Sequence, residues 1–192
     1  MTQLAIFASG TGTNAKNIID RFRNHPIIKV SLIVCNKPGA GVLSITAEEG
    51  IPAMLIEKEP FFRGSAYVPQ LREKEIDYII LAGFLWKIPE ALIKAYPRRI
   101  INIHPALLPK HGGKGMYGRF VHEAVIAGSD RETGITIHYV DEQYDHGEPI
   151  FQARVEVEPG DGPDTLARKV QVLEYEHFPA VIERIVELQN HR

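Results

Sequence analysis

"QLAIFASGTGTNAKNIIDRFRN", residues 3–24, runs from an apolar stretch of strand length, through two glycines, into apolar residues repeated at helical spacing. That is a buried strand, a tight loop and an amphipathic helix in immediate succession. The loop "SGTGTNA", residues 9–15, matches G-x-G-x-x-A. Glycines there allow a sharp turn and close approach of a phosphate, which the amides of a helix N-terminus bind. The bland alternative is a turn into a helix with no ligand; the strand–loop–helix setting favours an anion. A dinucleotide asks for more, an acidic residue about 20 positions on that holds a ribose. "CNKPG", residues 35–39, stands there without Asp or Glu. Thr11, Thr13 and Asn14 add hydroxyl and amide groups suited to a single phosphate. The loop reads as a monophosphate site rather than an NAD site, and the ATP-binding pattern GxxxxGK[ST] does not occur.

The same alternation continues outward. "IIKVSLIVCN" (27–36) reads as a second strand, broken by Pro38-Gly39. "VLSITAEEG" (42–50) is a helix with Gly50 as its stop, and "PAMLIE" (52–57) a short strand. A helix is expected over 65–74, a strongly apolar strand over 77–83 ("DYIILAG"), and a helix over 89–96 with Pro89 in its first turn. "RIINIH" (99–104) is the fifth strand, and "FVHEAVIAG" (120–128) a helix ended by Gly128. "GITIHYV" (134–140) and "EPIFQARVEV" (148–157) alternate and are rich in β-branched residues, as a paired set of strands would be. The tail over 164–189 has helical periodicity, with Pro179 expected to kink or divide it. Apolar strands alternating with helices predict an α/β fold. We expect one domain over 1–192: a single doubly wound, mostly parallel sheet with a Rossmann-like N-terminal half and a mixed edge. Ligands in such sheets bind beyond the C-terminal ends of the strands. Those ends here include "SGTGTN", "AGFLWK" and "NIHPALLP".

Composition excludes more than it identifies. With 192 residues the chain can bury a sizeable core, and its net charge of −2 gives no electrostatic reason to expect nucleic acid or an anionic membrane as partner. The single cysteine, Cys35, cannot form an intrachain disulfide, which points to an intracellular, cytoplasmic protein. The first apolar run is too short to span a membrane and has no basic segment before it.

"RIINIHPALLPK" (99–110) carries an amide and an imidazole two residues apart. On a strand, Asn102 and His104 share one face while Ile101 and Ile103 share the other. Two polar groups at the mouth of a buried strand must find partners or a ligand. His138, in a later strand, and Asp145, in the Asp-x-Gly of "YDHGEP", are available to join them. Singly, each has a plain reading: a satisfied strand histidine, a turn aspartate. His104, His138 and Asp145 are also a conceivable metal set, but no short metal motif is present and no metal is expected.

At these residues the sequence resembles the glycinamide ribonucleotide formyltransferases, folate-dependent enzymes of purine synthesis. The likeness rests on "ASGTGTN", "VCNKPGAGVLSIT", "LAGFLWKI", "NIHPALLPK", "GITIHYV" and "YDHGEPIFQ" and covers nearly the whole chain. Wider relatives with the same "NIHPALLP" carry a further domain, which is not expected within these 192 residues. The resemblance implies transfer of a formyl group from 10-formyltetrahydrofolate to the amine of 5-phosphoribosylglycinamide, by a cytoplasmic monomer or homodimer acting on small molecules. It assigns catalysis to Asn102, His104 and Asp145. It assigns the ribonucleotide to Gly12, Thr13, Asn14, Gln171 and Glu174, and the folate to Arg63, Leu85, Trp86, Lys87, Ile88, Asn102 and His138. It also implies a cis peptide before Pro109. Gln171 and Glu174, three apart, share a helix face. For Leu85 and Ile88 plain core packing is the competing reading. "KHGGKGMYG" (110–118) is longer and richer in glycine than the commonest family form, either as a flap over the folate or as a looser turn.

In formyl transfer, negative charge builds on the formyl oxygen as the amine attacks, and preorganised donors aimed at it carry much of the catalysis. The Asn102 amide and a protonated His104 are the expected donors. Asp145 is the expected proton shuttle and would favour a charged His104.

Overall fold

A computed structural model describes residues 1–63 and 66–190. Its seven strands are β1 (Thr2–Ala8), β2 (Ile28–Cys35), β3 (Ala53–Leu55), β4 (Tyr78–Leu81), β5 (Ile100–His104), β6 (Glu132–Tyr139) and β7 (Pro149–Glu156). They form one sheet in the order β3-β2-β1-β4-β5-β6-β7. The first five are parallel; β6 runs antiparallel to β5, and β7 to β6. The sequence-based expectation of a doubly wound, mostly parallel sheet with a mixed edge is met.

β1 shows why the sheet is wound on both sides. Its Leu4, Ile6 and Ala8 enter one core with Ile18, Ile19 and Phe22 of α1 (Thr13–Phe22). Its Ala5 and Phe7 enter a second, with Leu71 of α4 (Val68–Glu73) and Leu92 of α5 (Glu90–Ala95). A strand buried on both faces reads as a continuous apolar run rather than an alternating one. α2 (Val42–Glu49) ends at Gly50, whose φ of +64° suits a residue without a side chain. Pro89 is the N-cap of α5 rather than part of its first turn.

Three elements depart from expectation. α3 (Lys58–Phe62) was not anticipated; Pro60 lies in its first turn, where no N–H is needed. The helix expected over 65–74 begins at Val68, and Ser65 lies outside the described residues. α6 (Arg119–Ala127) follows expectation, but the tail is one continuous helix, α7 (Pro163–Asn190), undivided at Pro179. Pro179 has no N–H to offer the Tyr175 carbonyl one turn earlier. The Asn17 side chain donates to that carbonyl instead, at 2.9 Å. Buried Phe178 and Ile182 hold the segment on the sheet.

Candidate active site

The β5–β6 register sets Asn102 opposite His138 and His104 opposite Thr136. Opposed residues are close neighbours on one face of a sheet. Asn102 Nδ2 accordingly lies 3.0 Å from His138 Nε2. His138 Nδ1 lies 2.9 Å from the Tyr139 carbonyl. A carbonyl only accepts, so Nδ1 bears the hydrogen and Nε2 is left to accept from Asn102. Burial pushes the His138 pKa down, against the Tyr139 bond and Asp145, so the ring is neutral near pH 7.

Asp145 sits in the β6–β7 connection at φ +51°. Aspartate is among the few residues that tolerate this left-handed conformation. Two positions on, a Cβ at Gly147 would lie 1.8 Å from the Tyr139 oxygen, so only glycine fits. These two backbone demands account for the Asp-x-Gly pattern. Asp145 Oδ1 is 3.4 Å from both Asn102 Nδ2 and His104 Nδ1, and its Oδ2 accepts the Gly113 N–H at 3.0 Å. Separations of 3.4 Å are long for hydrogen bonds.

His104 is buried, with Nε2 2.8 Å from the His111 carbonyl. Nε2 therefore donates there, and Nδ1 is the nitrogen facing Asp145. Asp145 was expected to favour a charged imidazole. Its pull is real, but burial outweighs it and the His104 pKa lies below the ordinary value. Both ring nitrogens face protein groups, so His104 is not turned to donate directly to a substrate oxygen.

The glycine loop lies where the strand order reverses, between β1 and its neighbours β2 and β4. Gly12, at φ +81°, is the N-cap of α1, and among the described residues no side chain caps that helix. A Cβ on Gly12 would lie 2.8 Å from Val42 Cβ and 2.9 Å from Ile45 Cδ1, so the residue serves close packing as well as the turn. Gly10 is different: a Cβ there would meet nothing within 4 Å. The Ser9 hydroxyl accepts the Leu85 N–H at 3.0 Å and ties this loop to the one after β4. Asn14 Nδ2 donates to Glu174 Oε2 at 2.9 Å, while Asn14 Oδ1 is buried without a partner among the described residues. Burial raises the Glu174 pKa, with Asn14 opposing.

These groups open on one cavity of about 690 Å³. Asn14, Leu85, Asn102, His104, Asp145, Gln171 and Glu174 line it. Gly12 and Thr13 flank its lining residues Gly10 and Asn14, and His138 backs Asn102 without lining it. The other expected folate residues are not in the wall. Arg63 is exposed and pairs with Glu59; Lys87 is exposed. Trp86 packs on Phe61 and Phe84, ring centroids 5.6 and 6.2 Å away, and Ile88 is buried in the same core. Sequence reasoning did not single out Tyr117, Arg119, His122 and Tyr144, which do line the cavity. The glycines of 110–118 marked the segment that carries Tyr117, but not its side chains. His122, on the buried side of α6, reads from sequence as core.

A phosphate-type loop at the reversal point of the sheet, facing an amide, an imidazole and a carboxylate across one cavity, makes an α/β ligand site with acid–base groups at hand. The comparisons narrow the class: a family profile described as "Formyl transferase" matches residues 2–182, and the chain belongs to that family. Within it, similarity is to phosphoribosylglycinamide formyltransferases. The one from Bacillus subtilis is 34% identical, over 99% of this chain and 97% of its own. The chloroplastic one from Arabidopsis thaliana is 40% identical over 96% of this chain, which spans only 65% of that protein. A crystal structure of phosphoribosylglycinamide formyltransferase from Bacillus halodurans superposes with a TM-score of 0.87 at 37% identity, covering 96% of this chain and 95% of the other.

Proposed function

We propose that this chain, acting as one domain over 1–192, transfers the formyl group of 10-formyltetrahydrofolate to the amine of 5-phosphoribosylglycinamide, in purine biosynthesis. One observation carries the reading: the glycine loop and the Asn102–His104–Asp145 set open on the same cavity, with Glu174 and Gln171 beside them. The uncapped amides at the start of α1 receive the phosphate. Glu174 and the unpartnered Asn14 oxygen accept hydrogen bonds from the ribose hydroxyls. Leu85 and the strand-end segment through Ile88 flank the folate, with Trp86 packed behind; Arg63 and Lys87 reach it only if their exposed side chains turn inward.

The chemistry follows from the hydrogen-bond directions. The neutral amine attacks the formyl carbon, and charge gathers on the formyl oxygen. Asn102 Nδ2 carries two hydrogens. His138 takes one; the other, held only loosely by Asp145 at 3.4 Å, is free to turn to that oxygen. The intermediate then loses a proton from the attacking nitrogen and delivers one to the departing folate nitrogen. Asp145 and His104 Nδ1, facing each other, hold that proton in between. No step calls for a metal or a covalent nucleophile.

Small molecules are the partners this reading requires, and monomer and homodimer both suit it. Among the described residues no helix is long and apolar enough to cross a membrane. We place the activity in the cytoplasm, although two plant relatives are described as chloroplastic. The test is formyl transfer by purified protein, followed by absorbance and mass. Formylated ribonucleotide formed only when both substrates are present supports the reading. Formate released without ribonucleotide replaces it with a hydrolase, and no reaction refutes it.

A further inference from the structure

Asp130 does not line the cavity, yet it is two links from His104. It follows the end of α6, where its N–H donates to the Val125 carbonyl at 3.3 Å. Its carboxylate grips the root of the flap: Oδ1 accepts from Lys110 Nζ at 2.8 Å, and Oδ2 accepts from His111 Nε2. Those bonds, that of Lys110 first, hold the Asp130 pKa below the ordinary carboxylate range, so the group is charged near neutral pH.

His111 needs such a grip. Its φ is +54°, a left-handed conformation that a residue with a side chain keeps only where its surroundings dictate it. That conformation aims the His111 carbonyl at His104 Nε2, 2.8 Å away. Two residues on, the Gly113 N–H reaches Asp145 Oδ2 at 3.0 Å. The flap root thus holds both partners of the proton-carrying pair through its backbone.

We propose that Asp130 is a positioning residue: through His111 it fixes the His104 tautomer with hydrogen on Nε2 and leaves Nδ1 to face Asp145. The site reads so because a neutral imidazole has one hydrogen for two nitrogens, and whatever accepts from one decides what the other can do. With Asp130 removed, residue 111 relaxes, its carbonyl swings away, and His104 is free to place its hydrogen on Nδ1. It then donates to Asp145 and no longer takes a proton there. For its kinetic half this inference rests on the formyl-transfer reading; its structural half does not.

The test uses the full chain with Asp130→Ala, Asp130→Glu and His111→Phe. Nitrogen-15 shifts of the histidine rings are recorded without substrates, with His104 assigned through His104→Gln. The wild type should show His104 with its hydrogen on Nε2. Asp130→Ala and His111→Phe should show the two tautomers mixed, with partial recovery in Asp130→Glu. In formyl transfer, kcat should fall by about tenfold or more in the two disrupted variants, as it does when outer partners of a functional imidazole are lost, with both KM values little changed. If Asp130→Ala fails to fold by circular dichroism, His111→Phe decides alone. An unchanged His104 tautomer in a folded variant overturns the proposal, whatever happens to rate; so does a changed tautomer with unchanged kcat. A wild type without formyl transfer would refute the functional reading, and the tautomer would still decide whether Asp130 positions His104.

Discussion

Replacing Asp145 with asparagine removes one charge and almost no volume. Asparagine can still accept the Gly113 N–H that Asp145 Oδ2 receives at 3.0 Å, so the segment around Gly113 should stay in place. What changes is the field at His104. A carboxylate 3.4 Å from an imidazolium interacts with it by about 5 kcal/mol at an effective dielectric of about 20. Burial already holds the His104 pKa low, and Asp145 is the leading influence raising it. Without the carboxylate the imidazolium is not sustained, and no second base remains beside Nδ1. Loss of a positioned acid–base group is worth about 100- to 10,000-fold in rate, or roughly 3 to 5 kcal/mol. We therefore expect Asp145→Asn to lose at least 100-fold in kcat while both KM values change by no more than a few fold. The assay is single-turnover formyl transfer at saturating substrates, with dissociation constants measured in parallel. A kcat within tenfold of wild type, with both ligands bound normally, would refute the shuttle.

Asn102→Ala should reduce kcat on the order of 100-fold by removing the proposed oxyanion donor. It should also lower stability by about 1 to 3 kcal/mol, measured by urea unfolding, because buried His138 Nε2 loses its partner. Gly12→Ala puts a side chain at φ +81° and 2.8 Å from Val42 Cβ. The expected loss is about 2 to 5 kcal/mol, read as a fall in Tm, with a raised KM for the ribonucleotide from any folded fraction. Glu174→Gln should stabilise the free protein at pH 7 while weakening ribonucleotide binding. Burial raises the Glu174 pKa, so its neutral form favours folding below its ordinary pKa of 4.5, and that advantage is lost as pH rises through the folded value. Melting curves should show the variant ahead at pH 7 and level with wild type at pH 4; no gain at pH 7 would contradict a raised Glu174 pKa.

What the sequence disclosed is what repeats or pairs locally. The two-sided burial of β1 appears as an unbroken apolar run, and the period of two in β5 puts Asn102 and His104 on one face. The Asp-x-Gly of the β6–β7 connection announces a backbone that will not accept ordinary residues. Partnerships between distant segments stayed hidden. The tautomers of His104 and His138 are set by the carbonyls of His111 and Tyr139, and carbonyls leave no mark in sequence. Where α7 runs unbroken through Pro179, the carbonyl the proline leaves free is met by an asparagine in α1. Trp86 and Ile88 show a related limit: a segment at the rim of a site can send some side chains into the core behind it. The fall of the His104 pKa also lay beyond reach, because burial and a facing carboxylate oppose each other and only geometry decides the sum.

The pairing of β5 with β6 implies a rule about length. Asn102 meets His138 because the two strands are in step, with Ile135 and Ile137 turned to the core on the other side. A side chain changes face with every residue along a strand. One residue inserted in β6 ahead of Ile137 would turn the His138 ring into the core and set the Ile137 side chain against Asn102, with no motif residue altered. Two residues would return an imidazole to the correct side. The orientation of the Asn102 amide is thus written in the parity of a strand, and genetic change can reach it by counting as well as by substitution.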